Sequence, residues 1–196
     1  MSEGHSVWAQ PLADFRTAAA ADNPTPGCGA AAAVTADIGL ALVVKGLRIS
    51  EAHGSDAARR QLMQQAEALL GRPGTFADDD MQAFSDYLSA ARDGETADKR
   101  AAARQACAVP LALAHCCLEA LDIAVDAWPR TAATVQSDVQ AGAILIHAGL
   151  SAALINVDAD MPSLDSAAAR EQAGQTRQRL QSDGDALLRR LVDPGR

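Results

Sequence analysis

Asn23-Pro24-Thr25-Pro26-Gly27-Cys28-Gly29-Ala30-Ala31-Ala32-Ala33-Val34 is the stretch whose reading decides the fold. Its two prolines stiffen the approach and keep the residues before them out of the α region. The small residues after them let the backbone turn tightly and come close to a neighbour. Beyond Ala30 the chain stays apolar to Ile49, with only Asp37, Lys45 and Arg48 charged and with Gly39 and Gly46 inside it. This predicts a glycine-rich entry into a buried helix over Gly27–Ser50. Gly27, Ala31, Thr35 and Gly39 recur every four residues and so share one face, open to close helix approach. Free amides at such a helix start favour an anion or a polar ligand group. The plainer alternative is a rigid loop feeding a core helix.

The rest of the chain fits an all-α protein built around that helix. Aromatics make up only 3% of the 196 residues, and period-two clusters of β-branched residues are hard to find, so helices rather than sheets are expected. The length suits one domain, residues 1–196, with a sizeable core. Val7–Ala21 carries a short amphipathic pattern. Helices are predicted over Ser55–Leu70, capped by Ser55, and over Asp78–Arg92, with Asp78, Asp79 and Asp80 supplying cap and first-turn carboxylates. Gly71-Arg72-Pro73-Gly74 reads as the break between those two helices. Thr96 is the expected cap of a long segment to Trp128, which Pro110 should kink or split. A very apolar helix over Thr134–Val157 and a polar, arginine-rich helix after Met161-Pro162-Ser163 complete a bundle of about seven helices.

Charge and cysteine usage narrow the partners. A net charge of −8 argues against a general nucleic-acid or anionic-membrane binder. Met1–Gln10 is polar, so no signal peptide is expected, and the apolar segments read as core helices rather than membrane spans. Cys28, Cys107, Cys116 and Cys117 form no Cys-x-x-Cys pair, which fits reduced thiols in the cytoplasm. Cys28 alone sits where helix-start amides could lower a thiol pKa. His115 and Glu119 stand four apart without a second ligand pair, so no metal site is expected. The polar residues of most interest are those in apolar helices or at their ends. Asp37 needs a partner, for which Lys45, two turns on, is a candidate. Asp80 and Asp138 start helices, and Asn156 ends one.

Four of these stretches, in order, resemble one family. Asn23-Pro24-Thr25-Pro26-Gly27-Cys28-Gly29-Ala30 is similar to the Pro-Thr-Pro-Gly-Gly-Gly signature of the formiminotransferase–cyclodeaminase family, which includes standalone methenyltetrahydrofolate cyclohydrolases. Asp80-Met81-Gln82-Ala83-Phe84 resembles its Asp-x-x-Ala-Phe/Tyr, and Val109-Pro110-Leu111 its Val-Pro-Leu. Ser137-Asp138, running on to Asn156-Val157, resembles its Ser-Asp helix ending in Asn-Val. The resemblance implies an all-helical homodimer that hydrolyses a methenyl-pterin to the formyl form with no cofactor beyond the folate-type substrate. The alternatives are formiminotetrahydrofolate cyclodeamination, and a degenerate paralogue that binds a pterin or protein partner without turnover. Asp80 and Asp138 are the catalytic candidates it implies, and Pro26, Gly27, Cys28, Gly29, Ser137 and Asn156 the substrate-binding ones. The chain departs from the family pattern at Cys28, a glycine there, and at Asp160, the second asparagine of Asn-Val-x-x-Asn. Glu51-Ala52-His53-Gly54 and Ala90-Ala91-Arg92 stand where lysine-bearing stretches are usual, and Pro129-Arg130-Thr131-Ala132-Ala133 lacks the asparagines expected before Ser-Asp.

Overall fold

In a computed structural model describing residues 6–192, seven α-helices and short 3-10 turns occur among the described residues, and no strand. The first five residues of the polar opening stretch lie outside them. The helices are α1 (Leu12–Ala19), α2 (Cys28–His53), α3 (Ala57–Leu69), α4 (Arg72–Asp93), α5 (Thr96–Ala127), α6 (Gln136–Asp160) and α7 (Ala167–Val192).

Helices α2 and α6 form an antiparallel central pair, because small residues let their backbones nearly touch. A Cβ on Gly39 would lie 2.7 Å from the Gly142 carbonyl oxygen, and one on Gly142 would lie 2.5 Å from that of Gly39. Around this seam Leu40, Val43, Leu47, Ile146, Leu150 and Leu154 are fully buried. Helices α4 and α5 pack on the pair, and α7 closes the far side through Leu180 and Leu191. Three helical stretches, Cys28–His53, Thr96–Arg130 and Ala133–Ser163, are long and apolar enough to cross a membrane by length and composition. In the fold they pack against one another and make up most of the core.

The start of α4 differs from the sequence expectation, and the difference shapes the site. Gly71 separates α3 from α4 as expected, but Arg72-Pro73-Gly74 already belongs to α4, which starts six residues before Asp78. Gly71 takes a positive φ of 89°, Pro73 falls in the first turn where its missing N–H costs nothing, and Asp78–Asp80 sit inside the helix. The cap comes from another helix: Asp37 of α2 accepts the Gly71 N–H at 2.8 Å. Asp37 therefore does not pair with Lys45, which instead meets Asp138. In return, Asp80 of α4 accepts the Ala30 N–H at 3.1 Å in the first turn of α2. The two helices thus exchange carboxylates at their N-termini, where each satisfies orphan amides and the positive end of a dipole.

Other local assignments shift by a residue. Asp56 rather than Ser55 caps α3, accepting from Ala58 and Arg59. Glu95, not Thr96, caps α5 in a reciprocal box with Asp98. Helix α5 runs unbroken through buried Pro110, so tertiary packing overrides the local break signal.

Candidate active site

The cleft lies where the start of α2, the middle of α4, α5 and the end of α6 converge. Pro24, Thr25, Gly27, Cys28, Asp80, Ala83, Phe84, Ala106, Asn156 and Asp160 line a volume of about 130 Å³. Its only charged residues are two carboxylates. Ala106 enters the lining one turn before Pro110, whose ring nitrogen cannot donate to the Ala106 carbonyl.

Asp80 is the fixed centre. Its carboxylate accepts hydrogen bonds from the Ala30 backbone N–H at 3.1 Å and from Asn156 Nδ2 at 3.0 Å. The anion that this helix start holds is therefore the protein's own. Gly29 makes the contact possible, since a Cβ there would fall 1.9 Å from Asp80 Oδ1. Burial raises the Asp80 carboxyl above the usual carboxylate range, against the lowering effect of its two donors. Asp160, one helical turn beyond Asn156 and so on the same face of α6, is pushed up to about 6 by burial and by the charge of Asp80.

Cys28 reverses its sequence expectation. Burial, then the negative fields of Asp80 and Asp160, raise its thiol above the ordinary value, and its Sγ–H donates to the Ala152 carbonyl at 3.3 Å. One of the amides expected to stabilise a thiolate, that of Ala30, is engaged by Asp80 instead.

The family-matched residues divide into two groups. Gly27, Cys28, Asp80 and Asn156 line the cleft, while Gly29 backs Asp80 and Pro26 is buried behind the loop. Ser137 and Asp138 occupy the opposite end of α6, roughly 27 Å of helix away from Asn156. There Asp138 pairs with Lys45 at 2.9 Å, an ion pair open to solvent. Asp160 was not among the residues singled out for chemistry. Its spacing of four from Asn156 is the signal that places it on the cleft side. Among the described residues no group of three or more His, Cys, Asp or Glu side chains could hold a metal ion.

Known proteins resemble this chain along most of its length. Residues 11–179 match the profile of the family described as formiminotransferase-cyclodeaminase. The methenyltetrahydrofolate cyclohydrolase of Methylorubrum extorquens is 29% identical over 192 residues, covering 91% of this chain and 92% of the relative. The formimidoyltransferase-cyclodeaminase of Sus scrofa is 30% identical over 197 residues, which is 90% of this chain but 35% of that longer protein. The fold matches the crystal structure of formiminotetrahydrofolate cyclodeaminase from Thermotoga maritima with a TM-score of 0.87 at 18% identity, covering 95% and 96% of the two chains. This chain belongs to the formiminotransferase-cyclodeaminase family.

Proposed function

We propose that the protein hydrolyses methenyltetrahydrofolate, or a related methenyl-pterin, to its formyl form. The observation that carries the reading is the Asp80 carboxylate, fixed by two donors at a cleft whose only charges are negative. Such a site favours a cation, and the methenyl carbon of this substrate class is part of an amidinium shared between two nitrogens. Water adds to that carbon, one carbon–nitrogen bond breaks with its electron pair left on nitrogen, and that nitrogen gains a proton. One further proton is released as the formyl C=O forms, so the cation and water give a neutral product and H⁺. Asp80 stabilises the cation and its approach to the transition state. Asn156 and the Ala30 amide hold Asp80 in place. The near-complete overlap with a standalone cyclohydrolase supports hydrolysis.

The likeness to cyclodeaminases supports a second reading, in which a formimino group closes the same ring and expels ammonia. Two assays separate them: loss of the methenyl chromophore, and ammonia release from formiminotetrahydrofolate. Turnover of the first alone supports hydrolysis, turnover of the second alone supports deamination, and saturable binding without either supports a non-catalytic pterin binder. The reading takes the protein to be cytoplasmic, with no bound cofactor and no nucleic-acid or membrane partner.

The same reading includes a homodimer. Ile38, Ile144 and Ile155 leave an apolar strip exposed along α2 and α6, 39%, 46% and 60% accessible respectively. A cleft of about 130 Å³ also holds only the reacting end of a pterin, since sites for drug-sized ligands run to about 300–1,000 Å³. A two-fold axis across the strip would bring the Ser137-Asp138 end of one copy towards the cleft of the other. Mixing inactive Asp80→Asn and Asp138→Asn proteins would then restore about a quarter of parent activity, because half of the sites in mixed dimers are intact. Failure of mixing to restore activity would refute the shared site.

A further inference from the structure

We propose that Asp160 is the proton-carrying carboxylate of the cleft, working opposite Asp80, which stays the fixed anion. The inference deepens the hydrolytic reading and rests on it for the identity of the reaction.

The argument is an asymmetry between two carboxylates that share one cleft. Asp80 takes two hydrogen bonds, from the Ala30 amide and from Asn156, both of which favour its charged form. Among the described residues no group donates to the Asp160 carboxylate. It faces the cleft from the last turn of α6, bounded by Asp80 on α4, Cys28 on α2 and Cys107 on α5. No cation stands in that lining. Asp158, two residues earlier, is turned away and held by Arg177 at 2.9 Å. Of two carboxyl groups lining one cleft, the one without donors holds a proton more readily. Burial and the Asp80 charge agree, bringing Asp160 to about 6.

A carboxyl titrating there is matched to neutral conditions both as base and as acid. In the hydrolysis, ionised Asp160 takes a proton from the water as its oxygen bonds to the methenyl carbon. As the carbon–nitrogen bond breaks, Asp160 returns that proton to the departing nitrogen and is ionised again. The second proton of the water leaves to solvent when the carbinol becomes the formyl carbonyl. Asp80 exchanges no proton in this cycle.

Two readouts on Asp160→Asn test the proposal, with Asp160→Glu as the conservative variant. First, kcat/KM of the parent for methenyltetrahydrofolate rises through pH 6 to a plateau. Asp160→Asn lowers kcat about 100-fold or more and flattens that limb, and Asp160→Glu recovers part of both. Retention of the limb or of near-parent kcat in Asp160→Asn would overturn the assignment. A fall in kcat that leaves the pH profile unchanged would also overturn it, as a merely structural effect. Second, Cys28 reports on Asp160 without substrate. The logarithm of its rate of modification by methyl methanethiosulfonate should rise with pH at a slope below one between pH 5 and 7, because Asp160 gains charge over that range. In Asp160→Asn the slope should be one throughout. Equal slopes in the two proteins would overturn the titration of Asp160. If the parent shows no turnover, the hydrolytic reading fails, and the thiol readout still decides whether Asp160 holds the proton.

Discussion

Gly29→Ala probes how the cleft is built without touching a catalytic group. The added methyl would lie 1.9 Å from Asp80 Oδ1 and 2.3 Å from its Cγ, so the carboxylate must swing away. In doing so it gives up the Ala30 amide and the Asn156 side chain. A hydrogen bond to a charged group contributes about 1.5–3 kcal/mol, so the two together amount to about 3–6 kcal/mol. Alanine in place of glycine within a helix returns about 1 kcal/mol, leaving a net loss of roughly 2–5 kcal/mol. Urea denaturation should register that loss, and turnover should fall with it because the anion is misplaced. Gly174→Ala in α7, where a Cβ meets only Met161 Sδ at 3.6 Å, is the control and should be neutral or slightly stabilising. In an Asp80→Ala background the cost of Gly29→Ala should largely vanish, since the clash has gone. A Gly29→Ala protein with parent stability and parent turnover would refute the claim that this glycine exists to seat Asp80.

Two further outcomes follow from the same geometry. Gly142→Ala puts a Cβ 2.5 Å from the Gly39 carbonyl oxygen, and backbone cannot yield as a side-chain tip can. It should cost about 1–3 kcal/mol or more, read as a melting temperature lower by at least about 2–4 °C. Asp160→Asn should change how stability depends on pH. A carboxyl at about 6 in the folded protein against an ordinary value of 3.8 binds its proton more tightly when folded. The parent therefore loses stability as pH climbs from about 4 through about 6, and the variant does not. At pH 8 the variant should be more stable by about 1–2 kcal/mol, the full shift being reduced for partial solvent access, with the difference closing towards pH 3.5. No difference at pH 8 would contradict the burial and charge argument.

The fold was legible where the signal is periodic, and it failed where the decisive partner lies far along the chain. The Ala/Gly-rich run from Ala30 to Ile49 declared a central helix, and the small residues along it declared close packing. The identity of the facing helix was not written there, because Gly39 meets Gly142 across more than a hundred residues. Gly71-Arg72-Pro73-Gly74 contains the residues that end helices. What makes it a helix start is Asp37, which no local rule connects to it. Pro110 is a break by local rules and an interior residue in fact, because α5 is held by burial on both sides of it.

The site shows the same limit. Asp80 and Asn156 stood out through the family resemblance, and their direct bond at 3.0 Å joins two of its motifs. Cys28 sits at a helix start whose amides could lower a thiol pKa, and burial, followed by two carboxylates from other helices, raises it instead. Asp160 is marked in the sequence by its spacing from Asn156 and as a departure from the family's Asn-Val-x-x-Asn, while its raised carboxyl comes from burial and then from the charge of Asp80, eighty residues earlier. Asp138 matched a motif, yet within one chain it sits at the far end of α6, paired with Lys45.

The central claim is that Asp80, held by Ala30 and Asn156, turns this cleft into a site that hydrolyses a methenyl cation. The most direct measurement is the rate of chromophore loss from methenyltetrahydrofolate with parent protein and with Asp80→Asn, alongside thermal unfolding of both. The account expects parent turnover well above the spontaneous rate, and a loss of about 100-fold or more in a variant that remains folded. A folded Asp80→Asn protein that turns over as fast as the parent would contradict it.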